Sequence, residues 1–205
     1  MQPFFFALMH LDPIAILRAG GYVGLAAIIF AETGILLGII FPGDSLLFAA
    51  GLLAALGFFN PLALATTAAL AAVLGGIFGY WFGKRLGPRL FAKEDALIFK
   101  RAYVARTQSF FEKYGARAIL LARFVPIVRA FAPVLAGVGS MPYRRFFFYN
   151  LVGGIAWGAG MVALGYALGS IIPNSEHYIL PLSLLVIVIS FLPILINILR
   201  GKSAV

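Results

Sequence analysis

The chain has 205 residues, no cysteine, a formal net charge of +9 and a mean hydropathy of +1.02. Charged residues make up only 11% of it and the basic ones sit between apolar segments of membrane character, which argues against nucleic-acid binding, and the lack of cysteine excludes disulfides and thiolate metal sites. His10 and His177 form no ligand cluster, so neither a metal nor a cofactor is expected, and the chain reads as one all-α membrane domain.

Residues 1–18 carry Asp12 and lack a basic leader with a small-residue cleavage site. They predict no removable signal peptide, but a short Phe-rich helix lying along the interface. Ala19 to Phe41 is long enough to cross a hydrocarbon core of about 30 Å, yet it contains Glu32 and runs into Pro42, Gly43 and Asp44. Ser45 to Phe59 then offers only about 22 Å of helix, too short to cross unaided.

Pro61 to Gly83 is an uncharged stretch of spanning length. Gly75, Gly79, Gly83 and Gly87 recur every four residues and present a small-residue groove for close helix approach. Tyr80 and Trp81 beside that groove read as interfacial anchors or as cavity lining. Lys84 to Arg117 is the most basic connection in the chain and is expected on the cytoplasmic side. Within it Phe99, Tyr103, Phe110 and Tyr114 share one helical face, flanked by Arg106 and Lys113. That stripe fits an amphipathic helix lying on the membrane with its cations snorkelling towards headgroups. The alternative is an ordinary basic loop that only sets topology.

Ala118 to Tyr143 holds Arg123, Pro126, Arg129 and Pro133. Proline removes a helix hydrogen bond and clashes with the preceding turn, so this segment is expected to be broken. Broken backbone at membrane depth survives only inside protein or along a wet cavity. This segment and the one around Pro42 therefore both read as re-entrant hairpins. A charge at such depth costs at least about 2.5 kcal/mol and persists where it meets a partner or water. Glu32, Asp44, Arg123 and Arg129 are accordingly the leading functional candidates.

Phe146 to Ile172 is a second uncharged span, with Asn150 just inside it and glycine pairs at Gly154 with Gly158 and Gly165 with Gly169. Asn150 is placed either to hydrogen-bond a hairpin or substrate or simply to pack, and Trp157 and Tyr166, like Tyr80, are anchors or cavity lining. Pro173 to His177 has no Lys or Arg and is expected outside, whereas Arg144 and Arg145, like Arg200 and Lys202 beyond a third span at Tyr178 to Leu199, fit the cytoplasmic side.

Slid against itself, the chain superposes Gly24 on Gly115, Ala27 on Ala118, Ile28 on Ile119, Ala31 on Ala122 and Pro42 on Pro133, and brings Glu32 onto Arg123. With a shorter shift Gly75, Gly76 and Ile77 match Gly153, Gly154 and Ile155. Each half then holds one re-entrant hairpin and one span, which inverts the second copy relative to the first, as in many secondary transporters. Chance matching of Ala, Gly and Ile in so apolar a chain is the competing explanation. The expected organisation is one membrane domain over residues 1–205: repeat one at about 19–83, the basic interfacial helix at about 84–117, repeat two at about 118–172 and a C-terminal span at about 178–199.

Taken together, Glu32, Phe41-Pro42-Gly43-Asp44, Gly76, Gly79, Tyr80, Gly83, the run from Arg123 through Phe124 and Pro126 to Arg129, and Gly137, Met141, Phe146, Asn150, Gly154 and Trp157 resemble the DedA family of membrane proteins. It is also called the SNARE-associated or VTT-domain family. The resemblance covers about residues 20–170, with Asp44 standing where many members have Glu. It implies two re-entrant hairpins in an inverted repeat, a place in the bacterial inner membrane, and a role in moving phospholipids or undecaprenyl phosphate across the bilayer. It also implies proton coupling, with the acidic pair and the arginine pair as functional residues.

The residue chemistry agrees with those implications. Arginine stays protonated and offers a planar fork of donors suited to phosphate oxygens, so Arg123 and Arg129 are the candidate phosphate-binding residues. Glu32 and Asp44 are the candidate proton-coupling residues, because a phosphate arriving at the arginines changes the field that a buried carboxylate feels. Pro42, Gly43, Ser45, Tyr80, Pro126, Pro133, Asn150 and Trp157 are the expected supporting residues of hairpin and cavity. The bland alternative is a static cluster in which the acids neutralise the arginines.

Three function classes follow. A lipid translocase, with membrane lipid and protons as its partners, predicts a lateral opening wide enough for acyl or prenyl tails. A proton-coupled carrier or channel for a small solute predicts an enclosed polar path. A membrane enzyme is the weakest reading, since Ser45 beside Asp44 has no histidine base. The sequence leaves oligomeric state open.

The aromatic stripe gives a topology prediction. Cysteines at Lys100 and Arg101 should react with impermeant reagents only from the cytoplasmic side, and labelling from outside intact cells would overturn the assignment.

Overall fold

The computed structural model describes residues 13–35, 43–90, 111, 114–124, 126–172 and 185. Pro42, the aromatic stripe at Phe99, Tyr103 and Phe110, both histidines and nearly all of the expected C-terminal span lie outside the described residues. Regular structure among the described residues is helical throughout: α1 (Pro13–Gly34), α2 (Gly43–Ala55), α3 (Pro61–Leu90), α4 (Arg117–Ala122), α5 (Pro126–Val138) and α6 (Tyr143–Ile171).

Local chemistry sets most of these boundaries. Proline opens α1, α3 and α5 at the first helical position, where its missing N–H costs nothing. Helix α1 is interrupted at Gly21, whose φ of 53° a residue with a Cβ rarely adopts. Helix α2 closes in a Schellman turn: the Phe58 N–H donates to Leu53 O at 3.0 Å around Gly57, at φ 84°. Asn60 then caps α3, its Oδ1 accepting from the Ala63 N–H at 3.0 Å, while its own N–H donates to the Tyr22 hydroxyl.

Helices α3 and α6 are long and apolar enough to cross a membrane, over Pro61–Arg85 and Tyr143–Ile171. Two of the three expected spans therefore appear as helices of spanning length, α3 running on to Arg85 and α6 beginning already at Tyr143. Helices α2 and α5 have 13 residues each and α4 has six, so none of the three reaches across about 30 Å of hydrocarbon alone.

The second broken segment differs in one detail from the sequence expectation. The helix is interrupted at Arg123 and Phe124, just before Pro126, whereas Pro133 lies inside a continuous α5. Pro133 removes the hydrogen bond to the Arg129 carbonyl and crowds that carbonyl, and α5 nevertheless runs on through it. The chain around Pro126 has a better reason to break, because Arg123 turns inward there to reach partners on α3 and α6.

Packing is crossed. Helix α2 lies on α6 and α3 lies on α5, while α3 and α6 cross each other at the centre. Glycine permits each approach. A Cβ at Gly51 would strike the Val162 carbonyl and one at Gly165 the Phe48 carbonyl, where α2 meets α6. Gly83 and Gly137 stand in the same relation to Val134 and Tyr80 where α3 meets α5. At the central crossing, Gly76 faces Asn150 and Gly154 faces Val73. These contacts assign the four-residue glycine spacing to helix packing. Two apolar clusters result, one around Leu25, Leu47, Leu53 and Leu64, the other around Tyr80, Ile119, Ala136 and Phe146.

Large apolar side chains face outward along both long helices, among them Leu62, Leu70, Leu74 and Phe78 on α3 and Phe148, Ile155, Leu164 and Ile171 on α6. A surface this apolar favours hydrocarbon over water. The backbone contacts carry a stability prediction. Gly51→Leu or Gly165→Leu should destabilise the folded protein by about 1–3 kcal/mol or more through overpacking, read as loss of monodispersity and a lower thermal midpoint in detergent. A wild-type midpoint for both would overturn the close approach.

Candidate functional site

Arg129 projects from the first turns of α5 into the space between the ends of α1 and α2. Its Nη1 donates to Asp44 Oδ1 at 2.6 Å, and its Nη2 donates to Glu32 Oε1. One guanidinium thus bridges two carboxylates that lie on separate helices. Asp44 sits in the first turn of α2, where the helix dipole favours a negative charge. Gly43 is required beside it, since a Cβ there would occupy the position of Glu32 Oε2.

Trp157 closes this cluster from α6. Its ring lies 4.2 Å from the Arg129 guanidinium carbon, and its Nε1–H donates to Asp44 Oδ1 at 2.6 Å. The same carboxylate oxygen therefore accepts from both Arg129 and Trp157. Cation–π contact and a charge-assisted hydrogen bond each strengthen away from water. Glu32 is 1% exposed and Arg129 4%, while the Asp44 side chain keeps 13%.

Arg123 is held differently. Its Nη2 donates to Asn150 Oδ1 at 2.6 Å and to the Ala72 carbonyl at 3.0 Å, and Asn150 Nδ2 donates in turn to the Val73 carbonyl at 2.9 Å. All these acceptors are neutral. Asn150 is fully buried, and Gly76 leaves room for its amide. Three buried polar atoms of the site have no hydrogen-bond partner: Glu32 Oε2, Arg123 Nη1 and Arg129 Nε. An unmet guanidinium N–H at such depth is costly to leave without an acceptor.

A cavity of about 470 Å³ adjoins these groups. Asp44, Arg123 and Trp157 supply its polar wall, and Phe124, Ala156, Gly160, Met161, Ala163 and Leu164 the remainder. Phe124 and Leu164 are 60% and 57% exposed, so the apolar part of the lining continues onto the outer surface between α4 and α6.

The structure brings together Glu32, Gly43, Asp44, Arg123, Arg129, Asn150 and Trp157 of the sequence candidates. Two further results bear on the sequence expectations. The direct ionic partner of Glu32 is Arg129, whereas Arg123, its counterpart in the proposed repeat, bonds to neutral groups. Tyr80 lies apart: its hydroxyl donates to the Met141 carbonyl at 2.6 Å and its ring stacks on Phe146, bracing the turn between α5 and α6. Ser45 is buried in the first turn of α2, Pro126 begins α5 and Pro133 lies within it. Among the described residues no group of His, Asp or Glu could hold a metal ion.

Sequence reasoning missed the Ala72 and Val73 carbonyls, which carry no side-chain signal. It also passed over Phe124 and Gly160 as cavity wall. Gly160 stands outside the close-packed glycines, and a Cβ there would meet nothing within 4 Å.

Residues 41–167 match the VTT domain, a stretch that takes in Asp44, both arginines, Asn150 and Trp157 and begins after Glu32. The chain is 45% identical to an uncharacterized membrane protein of Mycobacterium tuberculosis, over 91% of this chain and 85% of that protein. It is 42% identical to protein DedA of Escherichia coli K12, over 89% of this chain and 84% of the relative, and 35% identical to the inner membrane protein YghB of the same organism, over 80% and 78%. No solved structure matches the chain. This chain belongs to the DedA family of VTT-domain membrane proteins.

The different partners of the two arginines predict different costs of removal. Arg129→Gln leaves Glu32 and Asp44 buried without their cation and should destabilise by about 3–5 kcal/mol. Arg123→Gln removes bonds to neutral acceptors and should cost about 1–3 kcal/mol. Adding Glu32→Gln and Asp44→Asn to Arg129→Gln should recover much of its loss. Chemical denaturation in detergent measures all of them, and equal losses for the two arginines would contradict this division.

Proposed function

We propose that the protein is a translocase for a phosphate-bearing lipid, undecaprenyl phosphate or a phospholipid such as phosphatidylethanolamine, across the bacterial inner membrane, with transport coupled to protons. The observation that carries this reading is Arg123: a buried guanidinium whose Nη1 has no acceptor, in the polar wall of a cavity whose apolar lining runs onto the outer surface. A phosphate monoester or diester supplies the acceptor that Nη1 lacks. The apolar lining supplies a path for its tail.

In this reading Arg123 is the primary phosphate ligand, and Arg129 joins it only when one of its carboxylates releases it. Glu32 and Asp44 are the proton acceptors, since a carboxylate that gains a proton loses most of its hold on Arg129. No covalent chemistry is involved. The broken segments around Glu32–Asp44 and Arg123–Arg129 form two re-entrant hairpins of an inverted repeat in a multi-pass protein. The crossed packing of α2 on α6 and α3 on α5 supports that symmetry, as does the reciprocal facing of Gly76 with Asn150 and Gly154 with Val73.

The test is transport by purified protein in proteoliposomes, comparing headgroup-labelled undecaprenyl phosphate with labelled phosphatidylethanolamine, with and without an imposed pH gradient. One of the two should cross faster than in protein-free vesicles. Arg123→Ala should reduce transport at least about tenfold, the effect of losing a hydrogen bond to a charged group. Glu32→Gln or Asp44→Asn should keep headgroup binding and lose the response to the gradient. Gly160→Phe should block transport by filling the cavity, at an unchanged thermal midpoint. Movement of soluble phosphate esters without lipid transport would instead favour a small-solute carrier.

A further inference from the structure

Trp157 belongs to two places at once. Its indole is part of the cavity wall together with Arg123 and Asp44, and it also forms the lid over Arg129 and a donor to Asp44. A ligand held at Arg123 in this cavity lies beside the Trp157 indole. Its N–H donates to Asp44 Oδ1, sharing that oxygen with the Arg129 guanidinium. Among the described residues, the ionisable groups gathered around Asp44 are Glu32 from α1, Arg123 from α4 and Arg129 from α5.

We propose that Trp157 is a positioning residue that reports occupancy of the cavity to the ion cluster, its indole N–H donating to Asp44 when the cavity is empty and to an anionic phosphate when one sits at Arg123. The proposal rests on the lipid-phosphate reading and adds to it the part that links binding to protonation. A phosphate oxygen is a stronger acceptor than most groups and competes directly for a donor within reach. Once the N–H turns away, Asp44 Oδ1 loses that donor and is reached by a proton from the cavity side. When phosphate leaves, the indole returns and the proton is displaced. Binding and proton uptake are thus coupled through one hydrogen bond, and Glu32, sealed behind Arg129, follows Asp44 and does not meet the cavity itself.

The chain has two tryptophans, and the other, Trp81, is half exposed at the far end of α3. In a Trp81→Phe background, Trp157 is the sole indole reporter. Dodecyl phosphate added to this protein in dodecyl maltoside should shift the Trp157 emission, further dodecyl maltoside should not, and Arg123→Gln should abolish the shift. In proteoliposomes Trp157→Phe keeps the aromatic face over Arg129 but has no N–H. Lipid-phosphate transport should fall about tenfold, the worth of one hydrogen bond to a charged group, and what remains should have a flattened pH profile. Unchanged emission when calorimetry shows dodecyl phosphate bound, or a wild-type pH profile in Trp157→Phe, overturns the switch. The emission arm uses intact Trp157, so it decides the matter even if Trp157→Phe folds poorly. If the unaltered protein neither binds dodecyl phosphate nor moves either labelled lipid, the translocase reading fails instead.

Discussion

One guanidinium holding two carboxylates organises this molecule. Glu32 lies in the last turn of α1, Asp44 begins α2 and Arg129 comes from α5, so the ion pair ties together three separate elements at one point. Taking three charges out of water costs several kcal/mol per ion before any attraction is counted. The offset is local and specific: two short charge-assisted bonds, an indole face, an indole N–H and the start of a helix directed at Asp44. Gly43 is the steric condition of the arrangement, since any side chain there would displace Glu32.

The second arginine shows what the first would be without its acids. Arg123 is as deeply buried as Arg129, yet its partners are an amide oxygen and a backbone carbonyl. Neutral acceptors satisfy donors without cancelling charge, so Arg123 remains an electrostatically open cation at the edge of a cavity. Two arginines six positions apart therefore differ in what they can do: one is a structural bridge whose release requires a change at a carboxylate, the other is ready for an anion. The proposed coupling uses this difference, with Trp157 between them.

Helix packing makes the site possible. Backbones at the α2–α6 and α3–α5 crossings touch through glycine, which shortens the distances over which side chains at the centre must reach. Asn150 spans α6 to α3 and orients Arg123 from α4 at the same time. Larger residues at those crossings would widen the bundle and leave the ion cluster without its neighbours.

The sequence by itself determined the membrane character, the two long spans at Pro61 and Phe146, the broken segment that precedes each, and the four charges on which the site is built. Those follow from local quantities: hydropathy over about 20 residues, the backbone restrictions of proline and glycine, and the cost of a charge at depth. Family membership was legible for the same reason, as it rests on short motifs. Partner choice was not. Whether Glu32 meets Arg123 or Arg129, and whether Trp157 anchors the interface or covers a guanidinium, depends on how helices far apart in sequence rotate against one another. A rotation of one helix by a third of a turn would exchange those partners without altering any local preference. Tyr80 illustrates the point: it lies on α3, the helix that also carries the Ala72 and Val73 carbonyl acceptors, yet its hydroxyl donates to Met141 between α5 and α6. Only the tertiary structure decided these pairings, because they are set by long-range packing and carry no periodic signal in the chain.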